Sequence, residues 1–244
     1  MPNPPKEPRR SPVIGFIEPT ATPTIASSEA LLRVFSVSRE MVDRLKIYES
    51  QLKKWQRAVN LVAPKTLPEL WHRHFADSLQ IAQLVPPSAK TLVDMGSGGG
   101  FPGLVLAAYF ADLAGPAITL VESDQRKCAF LREAARAMEI SVEILSTRIE
   151  NDANLAALSG VDVVTARALA RLPKLFALVS PFISAQTVCI FMKGRDVATE
   201  IAEARLSWSF ESTEHASMTD AQAKIIVVRD IVSNSTAAKP AISE

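Results

Sequence analysis

Glycine, cysteine and histidine are scarce in this chain of 244 residues, which contains nine, two and three of them. At an average usage of about 7%, a chain of this length would hold roughly 17 glycines, so those present are expected to have local roles. Cys128 and Cys189 lie far apart among apolar residues, which favours buried free thiols in a reducing compartment over a disulfide. The scattered histidines and cysteines give no zinc-type spacing, so no metal site is predicted.

Long apolar runs and a large net charge are also missing. No run approaches the roughly 18 residues that cross a membrane, and no apolar signal segment begins the chain, so we expect a cytoplasmic protein without a membrane partner. The net charge of +1 excludes nonspecific coating of nucleic acid but permits local recognition. Basic residues exceed acids between Arg33 and Arg57, which favours a polyanionic partner and a solvated helix face about equally.

The first part of the chain differs in composition from the rest. It is proline-rich and has few periodic apolar residues, so residues 1–27 are predicted to be a disordered tail. Residues 28–87 are predicted to form an N-terminal helical region. Ser38 can cap a helix that runs to about Val59, with apolar residues at three- and four-residue spacing. A second helical stretch, broken or continuous, is predicted over residues 66–84.

From residue 88 onwards, predicted strands and helices alternate. The strands are 91–95, 117–122, 141–146, 161–166, 186–192, 207–213 and 224–230, and the helices 101–111, 124–139, 150–158, 172–180 and 196–205. Such alternation produces right-handed crossovers and a mostly parallel, doubly wound α/β sheet. The last two strands lack a long helix between them and should pair antiparallel at one edge. We predict a seven-stranded domain over residues 88–235 and a C-terminal tail over residues 236–244.

Five of the nine glycines lie within eight residues, from Gly96 to Gly103. They follow the buried-strand pattern of residues 91–93 and precede an apolar helical segment that has Pro102 near its first turn. A strand, a glycine turn and a helix N-terminus together expose backbone N–H groups and let a ligand approach the main chain. The cluster therefore predicts a nucleotide-type cofactor site.

Two cofactor classes use such a turn. Gly98, Gly100 and Gly103 match the dinucleotide pattern G-x-G-x-x-G, although a lone match is weak. Asp94, Gly96, Gly98 and Gly100 match the acid-x-Gly-x-Gly-x-Gly turn that is usual for S-adenosylmethionine. Asp94 closes the first strand, where a carboxylate suits ammonium and sulfonium groups but would repel a pyrophosphate.

Two further acids come after the next strands. Glu122 ends the second strand, where a carboxylate can accept both ribose hydroxyls of either cofactor class. Glu150 comes after the third strand, at the expected adenine end. Acids at three successive strand ends favour S-adenosylmethionine. The alternative is a glycine turn that serves helix packing only, with acids that cap helices.

The acceptor is inferred from the residues at the ends of strands four and five. No Asn/Asp-Pro-Pro turn for adenine N6 comes after strand four, and Cys189 lies inside a strand, which disfavours cytosine C5. Arg167 stands there instead. An arginine suits guanine N7, which has no proton to lose, so catalysis reduces to positioning and electrostatics. Arg167 can donate to guanine O6 or a phosphate, or it can hold a loop or neutralise Glu150 or Asp94.

Polar side chains near the expected cofactor edge provide candidate RNA contacts. They are Arg73, Lys127, Arg148 and Lys193, of which Lys193 ends the fifth strand and could bind a phosphate. His74 and Asp77 share a helical face. We favour a hydrogen-bonded link between the N-terminal helices and the glycine turn over a catalytic pair, because N7 needs no base.

These residues resemble the bacterial small-subunit ribosomal RNA guanine-N7 methyltransferases, the RsmG or GidB family. The resemblance spans about residues 40–230 and rests on Asn60–Val62, Arg73–Leu79, Gly96–Gly103, Arg148–Glu150, Ala166–Ala168 and Lys193–Gly194. It implies a class I, Rossmann-like methyltransferase that uses S-adenosylmethionine to methylate N7 of one guanine in the decoding-region loop of 16S rRNA. It also implies that the cofactor contacts are Gly96, Phe101, Ile149, Glu150 and Arg167.

Two departures from the family pattern are small. Glu122 stands where the family often has aspartate, and Gly99 replaces a frequent proline and should loosen the turn. The partner implied is 16S rRNA or the small ribosomal subunit, and a monomer is expected. A nicotinamide-dependent oxidoreductase and a non-catalytic RNA-binding assembly factor remain alternatives.

Overall fold

The computed structural model describes residues 24–150 and 158–234 of the chain. The helical part contains α1 (Ser28–Val34) and α2 (Arg39–Trp55). The predicted tails and the helix predicted over 150–158 fall largely outside the described residues. Within the predicted N-terminal tail, Ile25 is buried and the Ser27 side chain accepts the Ala30 N–H at 3.3 Å, which caps α1.

Helix α2 begins where its sequence predicts and ends earlier. Ser38 Oγ accepts the Met41 N–H at 3.0 Å, which confirms the N-cap. The helix ends at Trp55 rather than near Val59. Gln56 explains the early end, because its side chain accepts from the amides of Leu61 and Val62 at 3.0 and 3.1 Å and folds the next segment back.

The second helical stretch is broken into short pieces. It comprises a 3₁₀ helix (Pro64–Glu69), a π-helical turn (Trp71–Ala76), α3 (Asp77–Leu79) and a second 3₁₀ turn (Ala82–Leu84). Pro68 lies inside the first piece, where it has no N–H to donate. The π-helical turn carries Arg73 and His74, and such turns are frequent at functional sites.

The remaining chain forms a seven-stranded sheet with the order β3-β2-β1-β4-β5-β7-β6. Its elements are β1 (Thr91–Met95), α4 (Gly103–Phe110), β2 (Ala117–Glu122), α5 (Gln125–Ala137), β3 (Glu143–Ser146), β4 (Val163–Arg167), α6 (Leu172–Val179), β5 (Val188–Lys193), α7 (Val197–Arg205), β6 (Trp208–Ala216) and β7 (Lys224–Ser233). Strands β1–β5 pair in parallel, and β7 pairs antiparallel with both β5 and β6. This confirms the doubly wound sheet and its antiparallel edge.

Each sheet face covers its own apolar cluster, because successive strand residues point to opposite faces. In β5, Ile190 packs in the cluster that includes α2, α4 and α5, whereas Phe191 packs with α6. The N-terminal helices thus complete one side of the sheet. Both cysteines are buried and free, as predicted. In the described part of the chain, no helix is long and apolar enough to span a membrane.

Candidate active site

The glycine turn after β1 needs glycine for conformational reasons. Gly96, Gly98 and Gly100 have φ values of +67°, +58° and +88°, a region that L side chains rarely adopt. A Cβ on Gly96 would lie 2.7 Å from Leu169 Cδ1, while one on Gly98 would meet nothing closer than 3.8 Å. A Cβ on Gly103 would lie 2.7 Å from Asp94 Oδ2, so Gly103 lets α4 pack closely on β1.

Asp94 braces this turn from below. Its side chain is fully buried, and its two oxygens accept from Thr165 Oγ1 at 2.8 Å and from the Gly103 N–H at 3.2 Å. Burial raises its pKa to about 6, against the lowering effect of these hydrogen bonds. Asp94 therefore joins β1, β4 and the start of α4, and it lines neither the small cavity beside the turn nor the large one next to it.

Glu122 closes the other side of the turn at the end of β2. Its Oε2 accepts the Gly98 N–H and its Oε1 accepts the Asp124 N–H, both at 2.8 Å. The residue is 8% exposed. Each carboxylate oxygen keeps a second lone pair, so Glu122 can still accept from a ligand hydroxyl.

The small cavity, of about 260 Å³, opens beside the turn. Five predicted cofactor residues line it: Gly96, Gly98, Glu122, Ile149 and Glu150. Lys127 and Arg148, which were predicted from the sequence to contact RNA, also line this cavity. The other predicted cofactor residues, Asp94, Gly100, Phe101 and Arg167, do not.

Gly100 and Phe101 lie instead beneath the turn, against α2. The Tyr48 hydroxyl donates to the Gly99 carbonyl, and a Cβ on Gly100 would collide with it. Phe101 is 3% exposed and stacks on Tyr48 with ring centroids 5.3 Å apart. The centroids of the Phe101 and His74 rings are 4.9 Å apart. The Arg167 guanidinium carbon lies over the Phe101 ring, 5.0 Å from its centroid.

The large cavity, of about 620 Å³, adjoins the small one. Ala168 and Leu169, which come directly after β4, line both and form the wall between them. Ala168 has a φ of +53°, an unusual value for a residue with a side chain. The large cavity receives polar side chains from three parts of the chain, among them Arg73, His74, Asp77, Arg167, Lys193 and Asp220.

Arg167 is held in the large cavity by the N-terminal segment. Its Nη1 donates to Asp77 Oδ2 and to the Arg73 carbonyl, both at 3.3 Å, and its Nη2 contacts His74 Nδ1 at 2.9 Å. Asp77 is thus its counter-ion, rather than the Glu150 or Asp94 that the sequence suggested. Three of the five guanidinium N–H groups are engaged within the described residues, which leaves two for a ligand.

The protonation state of His74 follows from these contacts. A guanidinium cannot accept a hydrogen bond, so His74 Nδ1 accepts and the proton lies on Nε2. Nε2 is 2.8 Å from Thr66 Oγ1, which itself donates to the Ala63 carbonyl. Burial, and then the charges of Arg167 and Arg73, lower the His74 pKa to about 3. The predicted hydrogen-bonded link from the His74–Asp77 pair reaches Arg167 at the end of β4, and contacts of the Phe101 ring with His74 and Arg167 continue it to the glycine turn.

Lys193 does not reach out from β5 as the sequence suggested. Its Nζ lies 2.6 Å from Glu200 Oε2 and donates to the Ala170 carbonyl at 2.7 Å, and its side chain is 9% exposed. Glu200 also accepts the Leu172 N–H at 2.9 Å. The pair holds the β4–α6 loop that contains Leu169, so Lys193 positions the wall between the cavities.

The loop between β6 and β7 belongs to the site, although the sequence did not predict it. This loop packs on the N-terminal segment, since Gln80 Oε1 accepts the Met218 N–H at 2.7 Å and Asp77 Oδ1 accepts from Thr219 Oγ1 at 2.5 Å. It places Asp220 at the large cavity, 3.0 Å from Arg73 Nη1. No local pattern signals this pairing, because 147 residues separate Arg73 and Asp220.

The described side chains around the large cavity are engaged by other groups or are weak bases. His74 keeps its Nδ1 on Arg167, Asp77 accepts from three donors, and Glu200 is paired with Lys193. A backbone hydrogen bond from Gln222, followed by Arg73, lowers the pKa of Asp220. Cys189 lines neither cavity, and burial raises its pKa to about 12. The described residues contain no cluster of metal-ligating side chains.

The sheet order, the glycine turn after β1 and the acid ending β2 define a class I S-adenosylmethionine-dependent methyltransferase fold. A solved structure of an MtNAS variant in complex with S-adenosylmethionine matches it with a TM-score of 0.52 and 13% sequence identity, covering 86% of each chain. The residues around the small cavity fit S-adenosylmethionine: the side-chain-free Gly98 lets a ligand approach, and Glu122 keeps lone pairs for hydroxyls.

The chain belongs to the GidB family, described as rRNA small subunit methyltransferase G, whose model matches residues 41–232. Two relatives bear the name ribosomal RNA small subunit methyltransferase G. That of Parvibaculum lavamentivorans is 44% identical over 209 residues, covering 86% of this chain and 92% of the relative. That of Paramagnetospirillum magneticum is 45% identical, covering 83% and 95%. The oxidoreductase alternative is not favoured.

Proposed function

We propose that this protein methylates N7 of one guanine in the 16S rRNA of the small ribosomal subunit. The observation that carries the proposal is the large cavity, where an arginine that keeps two N–H groups unengaged within the described residues stands among side chains that are weak bases. Family membership supports small-subunit ribosomal RNA as the substrate. The chemistry of the cavity supports N7 as the position.

Guanine N7 attacks through its own lone pair and carries no proton, so the step needs no base. S-adenosylmethionine, when bound, would supply a methyl group on a sulfonium, with the electron pair of the carbon–sulfur bond returning to sulfur as N7 takes the methyl group. The purine gains the positive charge that the sulfonium loses. Amino or hydroxyl acceptors would have to lose a proton, and the carboxylate that the described cavity leaves accessible, Asp220, is a weak base because its pKa is lowered.

The protein's part is therefore to position and to stabilise charge. The glycine turn, Glu122, Ile149 and Glu150 are proposed to hold the cofactor in the small cavity. Arg167 is proposed to donate to guanine O6 or a phosphate. Asp77 offsets the positive charge of Arg167, which would otherwise oppose the charge developing on the purine.

The test is methyl transfer to small subunits isolated from cells that lack the protein. The purified protein and radiolabelled S-adenosylmethionine should label the 16S rRNA at one site. Borohydride reduction and then aniline cleave RNA at 7-methylguanine, so a single new cleavage is expected. Radiolabelled RNA that is not cleaved would refute methylation at N7. RNA binding without radiolabelling would favour the assembly-factor alternative.

The remaining parts of the proposal concern organisation. We propose a cytoplasmic monomer in which residues 28–87 form a helical region and residues 88–235 the methyltransferase domain. The packing of α2 on α4 and α5 within one apolar cluster supports treating the two parts as one folding unit. Sedimentation of the purified protein tests the monomer, and a dimer at micromolar concentration would contradict it.

A further inference from the structure

Arg73 and Asp220 form an ion pair at the large cavity. The two side chains are 39% and 34% exposed, and Arg73 Nη1 lies 3.0 Å from Asp220 Oδ2. An exposed ion pair of this kind contributes little to stability, so stability alone does not explain why the pair is present. Both residues line the cavity that we assign to the acceptor, which gives the pair access to a bound base.

We propose that the Arg73–Asp220 pair reads the Watson–Crick edge of the target guanine. Enzymes that act on an unstacked base recognise it through hydrogen bonds to that edge. Guanine presents one acceptor, O6, followed by two donors, N1–H and N2–H. The pair presents one donor, the Arg73 guanidinium, followed by two acceptors, the Asp220 carboxylate oxygens. This is the pattern that cytosine offers to guanine.

The alternatives within the described cavity are already engaged. Asp77 accepts from Arg167, Gln80 and Thr219, and Glu200 is only 8% exposed. Asp220 accepts the Gln222 N–H at Oδ1 and Arg73 at Oδ2, so each oxygen keeps one lone pair. Those same contacts keep it ionised, as an acceptor for two guanine donors.

The pair also discriminates against adenine. Adenine carries a donor, N6–H, where guanine has O6, so it would face the Arg73 donor with a donor. Its N1 is an acceptor and would face the Asp220 carboxylate. A guanine bound in this way turns N7 away from the pair and leaves it open to methylation. Asp220 should also contribute to turnover, because its charge favours the positive charge that develops on the purine.

The test rests on the proposed function and uses the full chain with reconstituted small subunits. Their 16S rRNA carries guanine or inosine at the methylated position, since inosine keeps N7, O6 and N1–H but lacks the 2-amino group. With the unaltered protein, inosine should lower kcat/KM by about 10- to 100-fold. With Asp220→Ala, kcat/KM for guanine should fall by a similar factor. The ratio of kcat/KM for guanine to kcat/KM for inosine should then approach 1.

Two further variants serve as controls. Glu133→Ala removes another exposed ion pair, with Arg136 at 2.8 Å, whose two residues both lie outside the cavity lining, and it should leave the ratio of kcat/KM for guanine to that for inosine unchanged. Asp220→Asn keeps an oxygen for the Gln222 N–H and guards against misfolding, and it should lower kcat more than it raises KM. An undiminished ratio in Asp220→Ala, or no loss with inosine in the unaltered protein, would overturn the proposal. Absence of methylation on guanine itself would instead refute the proposed function.

Discussion

Asp94 should make the stability of this protein fall as the pH rises. Its carboxyl is fully buried, and its pKa is raised from 3.8 to about 6. The folded state therefore holds a proton that the unfolded state releases, and stability is lost as the pH rises through the folded pKa. Relative to a protonated carboxyl, ionisation costs about 1–2 kcal/mol at pH 5 and about 3 kcal/mol at pH 8.

Asp94→Asn isolates this effect. An asparagine oxygen can accept the Gly103 N–H while its amide donates to Thr165 Oγ1, as a protonated aspartate would. Between pH 5 and pH 8, the stability of the variant relative to the unaltered protein should therefore increase by about 1 kcal/mol. Urea unfolding at both pH values measures the difference, and a difference that does not change with pH would refute a raised pKa.

The same variant tests the prediction that Asp94 serves a cationic ligand. If the ionised carboxylate favours the ammonium or sulfonium, cofactor affinity should increase as the pH rises through about 6, and binding should release a proton. Asp94→Asn should abolish this pH dependence. Calorimetry in two buffers of different ionisation enthalpy measures the released proton, and equal heats would assign Asp94 a structural role only.

Three further predictions concern the cavities. Arg167→Ala should lower turnover by about 100-fold or more without unfolding the protein, because Asp77 keeps its other donors; a wild-type rate would remove Arg167 from the site. Gly98→Asp should abolish cofactor binding by calorimetry, because it fills the turn beside Glu122. Gly160→Asp is its matched control, with a φ of +75° and open space; equal affinities for both variants would contradict the site. Lys193→Met should cost about 3 kcal/mol in urea unfolding, because it leaves Glu200 buried alone, and should leave the salt dependence of RNA binding unchanged. If the slope of log affinity against log salt concentration were reduced in magnitude by about one, Lys193 would instead contact a phosphate.

The sheet could be predicted from the sequence because its signals are local. The bounds 91–95 and 117–122 agree with β1 and β2, since each is a short apolar run between turn residues. The strand predicted over 141–146 begins later, at Glu143, because residues 141 and 142 lack a strand partner in the register with β2. The missing helix between β6 and β7 correctly indicated an antiparallel edge.

The acceptor side could not be predicted in the same way. Lys193 has the position of a phosphate ligand, and only the packing of α7 on the β4–α6 loop provides Glu200 as its buried partner. His74 and Asp77 were recognisable as a pair, but their common partner Arg167 lies 93 and 90 residues away. The family resemblance implied a cofactor contact for Phe101, and its side chain packs under the turn against Tyr48.

Because the loop between β6 and β7 lies late in the chain, the acceptor cavity can be completed only near the end of synthesis. The residues that line the small cavity all precede residue 170, whereas the large cavity needs contacts such as Gln80–Met218 and Asp77–Thr219, which span 138 and 142 residues. Contacts of such long range form late and slowly. A nascent chain thus carries the described residues that line its methyl-donor cavity before it has Asp220, which the acceptor cavity needs.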